Sequence, residues 1–103
     1  MNRPKLSIGQ VVRHLKFGYR GVIYDIDLSF GLTEEWYEQV ARSRPPKDQP
    51  WYRVLVSAEN AETYVAERHL EPDESGAPIE HPQLQRYFDG MRDGYYYRDR
   101  DAS

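Results

Sequence analysis

The residues best suited to chemistry crowd together near the start of the chain, in Arg13-His14-Leu15-Lys16-Phe17-Gly18-Tyr19-Arg20. Arginine and lysine can contact phosphate, and tyrosine or phenylalanine can stack on exposed bases. Arg13, His14, Lys16, Tyr19 and Arg20 are therefore the candidate binding residues, for DNA or for a docking protein. The plainer reading is a solubilised strand end, since lysine and arginine at a sheet edge also block edge-to-edge pairing. Elsewhere the chemistry thins out. His14, His69 and His81 show no HxH or HExxH spacing, and without cysteine nothing completes a zinc site, so no metal or other cofactor is expected. Asp25 and Asp27 are two apart, which on a strand points both to one face. There they could hold a cation or act as acid and base, but the solvated face of a half-buried strand is the simpler account. No serine lies in a nucleophile elbow, and Gly18 and Gly21 lie between strands rather than ahead of a helix. No catalytic residue is assigned, and the chain is expected not to be an enzyme.

These residues depend on strands for their placement. Gln10 to His14 and Gly18 to Leu28 alternate in hydrophobicity, with Val22, Tyr24, Ile26 and Leu28 expected on one face and Ile23, Asp25 and Asp27 on the other, wet one. Of the two glycines, one supplies a positive φ at a turn and one inside the strand marks a bulge or bend, giving a strongly coiled hairpin. Thr33 followed by Glu34 and Glu35 predicts a capped helix over about 34–41, with Trp36 and Val40 as its apolar stripe. Residues 42–50 carry three prolines and read as a loop. Trp51 to Val56 is the strongest strand, Ala58 to Glu62 a turn, and Thr63 to Glu67 its antiparallel partner. Arg68 to Pro72 reads as a short last strand or single turn, and His81 to Phe88 as an amphipathic turn or two. Trp36, Trp51, Tyr52 and Tyr64 are expected in the core or at a barrel rim rather than in a ligand site. The expected fold is mainly β: a small barrel of about five strands over residues 1–76, with an insert at about 30–49. Residues 77–103 form a tail, partly helical or disordered, with 89–103 loose.

At 103 residues, one domain is expected. The start, MNRPKLSIG, lacks an apolar signal core, and no run approaches the ~20 apolar residues of a membrane helix, so a soluble cytoplasmic protein with no membrane partner is expected. Nine of the fourteen aromatic residues are tyrosine, a composition suited to half-buried strands and contact surfaces. The net charge of −3 conceals a segment of +5 before Asp25 and a remainder of −8.

Taken together, IGQVVRH, GYRGVIYDID, PWYRVLV and TYVAERHLEPD, in that order over about 6–73, resemble the HspQ family of small heat-shock-induced bacterial proteins, the same family as the YccV-like hemimethylated-DNA-binding domain. The segment 30–49 looks like that family's variable insert. The resemblance implies an SH3-like β-barrel, no enzyme activity, and two functional descriptions. One is DNA binding with a preference for hemimethylated sites. The other is a stress-response role in proteolysis, enhancing or delivering substrates such as DnaA to an ATP-dependent protease of the Lon or Clp type. Reading a methylated base needs edge contacts backed by several phosphate contacts, which a net acidic domain with one basic patch supplies poorly. An adaptor needs only a docking surface, so the proteolytic role is favoured and DNA binding is the alternative. Exposed strand edges would also suit a cyclic homo-oligomer.

Overall fold

A computed structural model describes residues 3–99. Five strands form one antiparallel sheet: β1 Val11–His14, β2 Arg20–Asp27, β3 Trp51–Val56, β4 Glu62–Ala66 and β5 Leu70–Pro72. Their order is β4-β3-β2-β1-β5, so β4 and β5 are the outer strands. These edges do not pair with each other, and the closed barrel expected from the sequence is not formed. One turn of 3-10 helix, Glu67–His69, separates β4 from β5, which crosses over to pair with β1. Helix α1, Glu34–Val40, is inserted between β2 and β3; a single turn α2, Leu84–Tyr87, and a hairpin of β6 Gly90–Arg92 and β7 Tyr95–Tyr97 follow the sheet.

The alternation in β2 does not run unbroken. Ile23 pairs with Val54 and Asp25 with Arg53, so Tyr24 is an extra residue and the strand bulges there. Val22 packs with Val11 and Leu55, whereas Ile23 packs with Val12, Tyr52 and Val54 in a second cluster that Ile26 joins. The bulge has moved Ile26 onto the face of Ile23, not that of Val22. Neither face is wet at this level, since Val22 and Ile23 are both fully buried. Gly18 has the positive φ of the turn, +77°. Gly21, by contrast, lies where a Cβ would stand 2.4 Å from Val54 Cγ1 and 2.5 Å from the Leu55 carbonyl oxygen. Its absent side chain allows a close approach between strands, and the bulge falls three residues later.

Thr33 caps α1 as expected, its Oγ1 accepting from the Trp36 N–H at 3.1 Å. The buried stripe is Tyr37 with Ala41, one position round from Trp36 and Val40, and Val40 is 56% exposed. Tyr37 wins the inner position because its hydroxyl donates to the buried Pro45 carbonyl at 2.7 Å while its ring packs on Trp51.

The stretch expected to be loose is structured as far as it is described. Ile79, Phe88 and Tyr96 are buried against Val11, Val22 and Leu55. Asp93 and Gly94, both at positive φ, make the tight turn that folds β6 onto β7. Alternation then sends Tyr96 inward, where its hydroxyl accepts from the Ile79 N–H at 2.7 Å, and leaves Tyr95 exposed. Gly9 clasps this hairpin: its carbonyl accepts from the Tyr96 N–H at 2.8 Å, and at φ +90° it leaves space for the Tyr96 carbonyl, 2.0 Å from where a Cβ would be. Residues 100–103 of the expected tail lie outside the described residues.

Candidate functional site

The five candidate residues do not share one surface. In β1 the side chains alternate, and Arg13 stands directly opposite Arg20 of β2 and Glu71 of β5. Both arginines therefore leave the sheet on the side of Val11 and Val22, and both meet acids there. Arg13 Nε donates to Glu71 Oε1 at 3.0 Å. Arg20 Nε donates to Asp73 Oδ2 at 2.7 Å, and its outer nitrogen reaches the Ala77 carbonyl. Burial pushes the Asp73 carboxyl up, but the hydrogen bonds from Arg20 and Ser75 prevail and hold it below the usual range. The segment's two sheet arginines are thus neutralised in place.

His14, one residue on from Arg13, points the other way and is 5% exposed. Its Nδ1 accepts from the backbone N–H of Lys16 at 3.1 Å and of Phe17 at 3.0 Å. Two donors on Nδ1 place the ring proton on Nε2 and leave the imidazole neutral. The ring stacks on Phe17 at 4.8 Å between centroids and lies 5.0 Å from Tyr19 and 5.7 Å from His69. Burial lowers the His14 pKa, helped by the nearby His69 and Lys16. Burial lowers that of His69 too, helped by Arg68 and Lys16. Tyr19 is half-buried, its hydroxyl 2.7 Å from Thr63 Oγ1.

His14, Lys16 and Tyr19 line a groove of about 220 Å³ that opens between the β1–β2 turn and α1. Its other wall carries Trp36, Val40, Arg42 and Ser43, with Tyr64 and His69 among the residues between. Phe30, Trp36, Trp51 and Tyr64 pack ring against ring, the last three lining the groove and Phe30 outside the lining, with Trp51 stacked on Tyr64 at 5.3 Å. Trp36 and Tyr64, expected in the core or at a rim, are partly exposed at the groove, whereas Trp51 and Tyr52 are buried. The sequence reading missed Val40, Arg42, Ser43 and His69 as site residues. One cue was present: the tripeptide Arg-His-Leu occurs at 13–15 and again at 68–70, and the fold brings its two histidines together. Nothing in the pattern marked the residues after α1, which reach the groove only through the insert's path.

Asp25 and Asp27 flank Arg53, with N–O separations of 3.9 and 3.8 Å, and Asp27 also accepts from the Tyr64 hydroxyl at 2.6 Å. Their charge is shared with a guanidinium, which is the structural role of an ion pair on a sheet face. Among the described residues no helix is long and apolar enough to cross a membrane.

Residues 4–95 match the family described as YccV-like, "Hemimethylated DNA-binding protein YccV like". The match runs through the insert with α1 and on to Tyr95, well past the Asp73 at which the sequence motifs stop.

Proposed function

The chain belongs to the YccV-like family, and on that premise we propose that it is a non-enzymatic docking module of the cytoplasm. It acts in stress-linked proteolysis as an adaptor or specificity-enhancing factor for an ATP-dependent protease of the Lon or Clp type, with substrates such as DnaA. One observation carries this reading. The two sheet arginines that suggested a phosphate footprint are paired with Glu71 and Asp73, and what remains open is an aromatic-walled groove. A surface of that kind suits polypeptide better than duplex phosphates. The sheet would then be an SH3-like barrel left open between β4 and β5, and those two edges are where copies would join in a homo-oligomer. The test is the degradation rate of an unfolded DnaA substrate by purified Lon-type and Clp-type proteases, with and without the chain. A rate unchanged for both refutes the proteolytic role.

The family's description supports a second reading, binding of hemimethylated DNA. It predicts that a hemimethylated duplex is bound more tightly than its fully methylated and unmethylated counterparts, with affinity falling steeply as salt rises. Equal and salt-insensitive affinities would exclude it.

A further inference from the structure

The groove has a charge as well as a shape. Lys16 and Arg42 on its rim are exposed and make no ion pair among the described residues, and Arg68 close by spends one nitrogen on the Ser43 carbonyl at 2.8 Å. Among the described residues no acidic one lines it. A chain of net charge −3 has therefore kept one concave, aromatic surface free of carboxylates while neutralising its sheet arginines elsewhere. The rim is also greasy. Phe17 is 71% exposed and Val40 56%, and both line the groove. Exposed apolar groups gathered around a concavity mark an interaction site rather than ordinary scatter.

We propose that this groove docks an acidic polypeptide segment bearing one aromatic or branched apolar anchor. The anchor enters between Phe17, Trp36 and Val40, and carboxylates flanking it meet Lys16 and Arg42. This rests on the reading of the chain as a protein-docking module and names the chemistry of its partner. A volume of about 220 Å³ is smaller than the ~300 Å³ at which small-molecule sites begin, so one large side chain fits better than a free metabolite. Nucleic-acid interfaces are more polar and far more positive than this rim, with its exposed Phe17 and Val40. The complementarity is with carboxylates set around an apolar centre.

The test uses the full chain and four probes: a capped nonapeptide with central phenylalanine flanked by aspartate and glutamate, the same peptide flanked by lysine, the acidic peptide with alanine in place of phenylalanine, and an eight-residue oligothymidylate. Binding is followed by amide chemical shifts and by calorimetry. The acidic phenylalanine peptide should shift the amides of residues 14–19 and 36–43, and the lysine and alanine peptides should each bind about tenfold more weakly or worse. The double variant Lys16→Glu/Arg42→Glu, at two exposed positions that make no ion pair among the described residues, should keep the wild-type melting temperature and lose about tenfold in affinity for the acidic peptide. Equal binding of the lysine peptide, shifts confined to β4 or β5, or preference for oligothymidylate would each overturn the proposal, the last making the groove a nucleic-acid site. The degradation assay separates this from the wider reading. Peptide binding as expected with no effect on either protease leaves the docking chemistry standing and removes the proteolytic role. Stimulated degradation without acidic-peptide binding does the reverse.

Discussion

Replacing Gly9 by alanine attacks the point where the C-terminal hairpin is fastened. The new methyl would stand 2.0 Å from the Tyr96 carbonyl oxygen, a backbone atom that cannot rotate aside, and the residue would have to hold φ +90°. The backbone conformation alone costs ~1–2 kcal/mol for a residue with a Cβ. The clash forces β7 away, and with it goes the burial of Tyr96, worth ~1.5–3 kcal/mol, and its hydrogen bonds to Gly9 and Ile79, each ~0.5–1.5 kcal/mol. Freed hairpin residues recover conformational entropy, which offsets a large part of that loss. The net effect should be a destabilisation of about 2–4 kcal/mol, or a fall in melting temperature of about 10–25 °C for a domain of this size. Scanning calorimetry measures the fall. Amide exchange locates it: the Tyr96 amide should lose its protection in Gly9→Ala while amides of β3 keep most of theirs. A melting temperature within about 3 °C of wild type, or an unchanged Tyr96 exchange rate, would refute the reasoning that Gly9 is the clasp.

Three further outcomes are expected. The folded state holds the pKa of His14 and His69 below the usual 6.5, so the unfolded chain takes up protons first on acidification. Stability should be full above about pH 6.5 and decline as pH falls below it, and His14→Asn, which keeps an acceptor for the two turn N–H groups, should flatten that decline; a wild-type melting temperature constant from about pH 7.5 to about pH 5.5 contradicts this. Tyr52→Phe removes a hydroxyl that donates to Glu67 at 2.5 Å and accepts from the Leu6 N–H at 3.3 Å, stranding that buried N–H, so chemical denaturation should show a loss of ~1–3 kcal/mol. Glu71→Gln/Asp73→Asn releases Arg13 and Arg20, and if those acids are what masks the basic segment, the salt slope for non-specific duplex binding should steepen by about 1.8 for two added phosphate contacts; an unchanged slope shows that they mask nothing.

Local chemistry was legible where a short stretch decides its own conformation. Thr33 with two acids behind it gave the start of α1, and the aromatic and aliphatic run Trp51 to Val56 gave β3, an inner strand. What depended on distant partners was not. Tyr37 displaced Val40 from the buried stripe because Pro45 and Trp51 were waiting for it, and the bulge at Tyr24 followed from how β2 meets β3. The hairpin at 90–97 had a local cue in Asp93-Gly94, but three-residue strands hold only when a sheet is there to cover, and the mixed-charge composition hid that. At the candidate site, proximity in sequence is not proximity on a surface. Arg13 and His14 are adjacent, and the pleat of β1 sends them to opposite sides.

The clustering of rings behind α1 has an optical consequence. The chain has only two tryptophans, Trp36 and Trp51, and their rings lie 6.1 Å apart in the same aromatic cluster, both lining the groove. Intrinsic emission excited at the red edge therefore comes from one small region, and contacts this close should couple the two indoles in the near-ultraviolet dichroism. The hairpin and the segment beneath it contain tyrosine and phenylalanine alone, so their detachment is dark at that wavelength. Tryptophan emission and a tyrosine-weighted or calorimetric signal would then report different parts of one molecule, and a gap between their transitions would be the signature of the hairpin lifting before the sheet melts.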